Sequence, residues 1–145
     1  MKRSEVRTYF RVIASSSNTD LDYDAVTATL GIQPTKIRHA IPRGAGVPGA
    51  GMHAAWIYQS PLGPEKTLAE HFTHLIDVFH PRRDALRELR DRIPVEVKLD
   101  SSVQSYGCQG PEMVFGPDLL RRAAELGAEI GIDLYSFDDE DADRA

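Results

Sequence analysis

Two helix stops constrain this chain more than any other feature: Leu30-Gly31-Ile32 running into Gln33-Pro34-Thr35, and Leu126-Gly127 running into Ile130-Gly131-Ile132-Asp133-Leu134-Tyr135. A glycine just past the last apolar residue supplies a left-handed cap, and a proline soon after forbids continuation. The residues after the second stop alternate with the period of a strand. The chain is thus committed to short helices that hand over abruptly to strands, an α+β pattern.

Between the stops, hydrophobic periodicity assigns the remaining elements. Val6, Thr8, Phe10, Val12 and Ala14 alternate with Arg7, Tyr9 and Arg11, so about 5–14 is a half-buried strand. Asp22 is placed to cap the first helix, with Leu21 and Val26 as a hydrophobic staple. Residues 33–53 are irregular and rich in proline and glycine, and they carry Lys36, Arg38, His39 and Arg43. The run Ala54-Ala55-Trp56-Ile57-Tyr58 is a strand with both large aromatics on one face. Leu68, Phe72, Leu75, Ile76 and Phe79 form one apolar stripe on a helix over about 65–79, and a second helix covers roughly 82–92.

Val95, Val97 and Leu99 alternate with Glu96, Lys98 and Asp100, which predicts a strand with one wet face. A hairpin partner is expected around 104–115, broken by Gly107, Gly110 and Pro111. Pro117 opens the final helix and a strand over 130–137 closes the fold. The order is β-α-β-α-α-β-β-α-β, an α+β fold with a mainly antiparallel or mixed sheet, helices packed on one face and a ferredoxin-like elaboration.

The 145 residues suit one domain, expected over 1–137. Asp138-Asp139-Glu140-Asp141 begins an acidic run over 138–145 with nothing apolar to bury, expected to be a disordered tail. That tail carries most of the net charge of −5, leaving a body close to neutral, unlike the basic footprint of a nucleic-acid binder. The single cysteine, Cys108, permits no internal disulfide, and the chain shows neither a signal core nor a membrane-length apolar run. A cytoplasmic protein is expected, with no nucleic acid or membrane partner.

The letters for catalysis are sparse. Gly44-Ala45-Gly46-Val47-Pro48-Gly49 spells the dinucleotide fingerprint, but it follows a helix and leads into a strand, the reverse of the setting that mechanism needs. His71 and His74 stand at helical spacing without a partner set of ligands, and they read as surface histidines, His71 at the border of the apolar stripe. Cys108 has no base that the sequence can place beside it. Arg82, Arg83, Arg87, Arg90 and Arg92 interleave with Asp84, Glu88 and Asp91 as a self-paired helix face. No catalytic residue, metal set or cofactor is expected. Convergence of Lys36, Arg38 and Arg43 with Arg7 and Arg11 would make a patch for small anions.

The two glycine stops, the glycine-bearing loop leading to Trp56, the Leu/Phe helix at 68–79 and the closing strand together resemble an uncharacterised bacterial family, domain of unknown function 4279, over roughly 6–136. The resemblance carries structural motifs and implies no catalytic residues. Size and acidity are similar to those of immunity proteins. The leading expectation is a non-catalytic protein-interaction module that binds its partner through the 33–53 loop, the acidic residues Asp138, Asp139, Glu140 and Asp141, or both. The alternative is a small-ligand sensor or enzyme with a cavity under that loop, lined by Arg38, Arg43, Trp56 and Tyr58. Homodimerisation through a sheet edge is a third option.

Overall fold

The computed structural model describes residues 3–107 and 112–138. Cys108 and the acidic residues from Asp139 onward, including Glu140 and Asp141, lie outside the described residues. The elements are β1 (Glu5–Ala14), α1 (Tyr23–Leu30), β2 (Lys36–Arg38), β3 (Ala55–Gln59), α2 (Leu68–Phe79), α3 (Arg83–Arg92), β4 (Val95–Tyr106), α4 (Pro117–Glu125) and β5 (Ala128–Phe137). The strands form one mixed sheet in the order β2-β3-β1-β4-β5. β1 is antiparallel to β3 and β4, β2 is antiparallel to β3, and β5 returns through α4 to lie parallel to β4.

The fold is α+β, with the helices over one face of the sheet. Two parts of the expected order are corrected. A short strand, β2, lies inside the 33–53 segment, paired through Lys36–Ile57 and Arg38–Ala55. The hairpin expected around 104–115 is absent among the described residues, because β4 runs unbroken from Val95 to Tyr106 between β1 and β5.

Local signals explain the helix ends. The Asp22 carboxylate accepts from the Ala25 backbone N–H at 3.0 Å, and Gly31 closes α1 at φ 67°, as Gly127 follows α4 at φ 65°. Thr67 and Glu70 form a reciprocal capping box that starts α2 at Leu68, the first residue of the apolar stripe, instead of at the expected residue 65. Under the helices, Phe10 stacks on Phe79 at 3.7 Å between centroids, and Trp56 meets Phe79 edge-on at 6.1 Å. These rings join Leu30, Leu75, Leu86, Leu99 and Leu126 in one buried cluster. Among the described residues no helix is long and apolar enough to cross a membrane.

Candidate functional site

Successive side chains of a strand point to opposite faces. In β1, Phe10 and Val12 enter the helix-covered core, while Tyr9, Arg11 and Ile13 belong to the face without helices. Strand register extends that face into rows. Lys36, Ile57, Arg11, Lys98 and Glu129 stand side by side across all five strands. Arg38, Ala55, Ile13 and Glu96 form the next row, and Gln59, Tyr9, Asp100 and Gly131 the row on the other side. Ile13, Ala55 and Ile57 are buried there as a small apolar floor beside Tyr9.

Two adjoining concavities open on this face. One, of about 390 Å³, lies over Ile57 and Tyr9 and is rimmed by Thr35, Lys36 and Gln59. The other, of about 380 Å³, reaches past Ile13 to His53, Glu96, Lys98 and Asp100. Arg11 and Arg38 line both. Each volume falls within the range of small-ligand sites. Their walls carry four cationic and two acidic side chains, an excess of two positive charges.

The two arginines are held differently. Arg38 donates from Nε to the His53 carbonyl at 2.9 Å, and His53 Nδ1 donates to the Ala14 carbonyl at 2.6 Å. Its own carbonyl lies 2.7 Å from the Tyr23 hydroxyl, tying β2 to the start of α1. Burial, followed by the Asp20 carboxylate, pushes the Tyr23 phenol up to about 12. Burial, and after it the Arg11 charge, pulls the Arg38 guanidinium below its ordinary value, although it stays charged. Arg11 lies 4.9 Å above the Tyr9 ring and 3.5 Å from the Asp100 carboxylate. Its Nε is buried without an acceptor among the described residues. Asp100 leans across Gly131, where a Cβ would stand 2.6 Å from Asp100 Oδ1. Burial raises the Asp100 carboxyl, and Arg11 opposes that rise.

Of the residues singled out from sequence, the structure brings Lys36, Arg38 and Arg11 together. Arg43 lines neither concavity; it sits in a neighbouring depression with Ser15, Ser16, Ser17, Asn18 and His53, the last shared with the second concavity. Trp56 is fully buried on the helix side, its indole N–H donating to Thr27 Oγ1 at 3.0 Å, and Tyr58 packs edge-on against Phe79 beside it. Neither shares a cavity with Arg38, because residues 56 and 58 alternate with 55 and 57 across the sheet. Asp138 is exposed at the end of the described residues.

His71 is corrected from the border of the stripe to the interior, only 1% exposed. Its Nε2–H donates to the Gly63 carbonyl at 3.1 Å, and its Nδ1 lies 2.9 Å from the Ser60 hydroxyl. This serine-histidine contact went unseen in the sequence, although residue 71 lies three after Leu68 and four before Leu75 and so on the inner stripe. Ser60 is itself 4% exposed, which leaves a substrate no approach to the hydroxyl. The depression along the outside of α2, about 450 Å³ and lined by Lys66, Glu70, His74 and Asp77, is a mixed-charge helix flank whose Glu70 is committed to the cap of Thr67.

The family model described as Domain of unknown function (DUF4279) matches residues 4–137. Comparison with the curated proteins and with the solved structures finds no match.

Proposed function

We propose, for a chain that belongs to the DUF4279 family, a non-catalytic binding module whose working surface is the helix-free face of its sheet and whose ligand is anionic. The observation that supports this most is the sharing of both concavities by Arg11 and Arg38, with Lys36 and Lys98 on their rims. Clustered guanidinium groups repel one another unless an anion lies between them, so they store attraction for one. The buried Ser60–His71 contact offers no competing catalytic account.

Binding to the folded state alone raises the melting temperature. Citrate, titrated at constant ionic strength, is expected to raise the melting temperature of the wild-type chain saturably and to leave an Arg11→Gln, Arg38→Gln double variant unmoved. Equal shifts in both proteins would remove the face as the site.

One further observation favours a protein ligand as a second reading. Residues 42–50 are all exposed and form a finger closed at its base by the Ile41–Met52 bridge. In this reading, close to an immunity protein's mode of action, the finger and the acidic end with Asp138 meet a partner by surface complementarity. Replacing residues 43–50 with a short Gly-Ser link would then abolish capture of that partner while preserving the fold.

A further inference from the structure

The reading of an anionic ligand leaves its chemical class open, and the charges around Arg11 and Arg38 narrow it. Arg11 pairs with Asp100 at 3.5 Å, and Arg38 has no carboxylate within 4.0 Å among the described residues. Lys98 is drawn toward Glu129 at 3.6 Å on the far side. Arg38 spends its Nε on the His53 carbonyl, and the buried Arg11 Nε has no acceptor among the described residues. Asp100 is thus, among the described residues, the one carboxylate paired with either guanidinium group, and with Lys98 matched to Glu129 the walls keep Arg11, Arg38 and Lys36 against Glu96 and Asp100, an excess of one positive charge.

A monocarboxylate offers only two acceptor oxygens, in one plane, to the two guanidinium groups. A phosphate monoester carries nearly two negative charges at neutral pH, with three acceptor oxygens that suit two planar guanidinium forks at once. Tyr9, half-buried and packed against the buried Ile57 in the first concavity, presents an aromatic ring beside the arginines as a surface for the organic remainder of such a ligand. Resting on the anionic-ligand reading, we propose that Arg11 and Arg38 form a seat for a small organic phosphate, with Asp100 as the internal anion that holds Arg11 while the seat is empty.

Asp100 is faced by Tyr9 and Arg11 from β1, by Arg38 from β2, by Lys98 on its own strand and by Glu129 and Asp133 from β5. Ligand and Asp100 compete for Arg11, so neutralising Asp100 strengthens binding.

Isothermal titration calorimetry of the full chain at pH 7.5 and low salt, with phenyl phosphate, inorganic phosphate and benzoate as probes, tests the seat. Phenyl phosphate is expected to bind at least about tenfold more tightly than benzoate, and more tightly than inorganic phosphate if the Tyr9 ring contributes. Asp100→Asn is expected to tighten phenyl phosphate several-fold, and Arg11→Gln with Arg38→Gln to abolish it while the circular dichroism spectrum stays native. Benzoate binding as tightly as phenyl phosphate would overturn the phosphate class and leave the anionic reading standing. Saturation by none of the three, with citrate also silent, would overturn both, and undiminished phosphate binding by the double variant would overturn the seat.

Discussion

His71 shows how one buried side chain gives the fold a pH dependence. Burial is the main cause holding its imidazole below the ordinary 6.5, with the Gly63 hydrogen bond opposing. Between the lowered folded value and the unfolded value, the unfolded chain binds more protons, so stability is fully present above about 6.5 and falls as the pH drops through that window. Urea unfolding midpoints at pH 7.5 and 5.0 should separate more for the wild type than for His71→Gln; parallel profiles would mean that His71 does not carry the effect. Arg82 acts at the same scale in another way, donating to the carbonyls of Leu30 and Val78 at the ends of α1 and α2. Arg82→Ala leaves those carbonyls without their charged donor and is expected to lower stability by about 1.5–3 kcal/mol in chemical denaturation. Single residues were the hardest things to place from sequence. Trp56 looked like a ligand-facing aromatic because strand alternation says which residues share a face but not which face is covered.

At the scale of elements, the capping box of α2 is a local device with a local consequence. Thr67→Ala removes an acceptor for the Glu70 backbone N–H and should cost about 1 kcal/mol, read as a lower urea midpoint with unchanged slope. Helices were legible in the sequence because apolar stripes and glycine stops are written within a dozen residues. β2 was not, since Lys36-Ile37-Arg38 is too short to show a period and owes its strand form to β3 and to the Tyr23 hydroxyl near the Arg38 carbonyl. The false hairpin has a related cause. Ser101 and Ser105 fill buried positions of β4 where apolar residues would mark continuity, and Ser101 is satisfied there by Thr8 and the Arg7 carbonyl.

Across the whole molecule, one face of the sheet is consumed by the core and the other, which carries Arg11, Arg38, Lys36 and Lys98, is left free of helices among the described residues. Phe79 seats α2 on the core, touching Phe10 of β1 and Trp56 and Tyr58 of β3. Phe79→Ala should destabilise the fold by about 3–5 kcal/mol in denaturant titration without changing which face is free. The basic rows on that free face were beyond the sequence, which names Arg11, Arg38 and Lys98 but not the register that aligns them. The most direct measurement is an amide chemical-shift map of the full chain titrated with citrate. Saturable shifts concentrated at residues 9–11, 36–38, 57–59 and 98–100 are predicted; shifts confined to residues 42–50 or the acidic end, with the sheet face silent, would contradict the account.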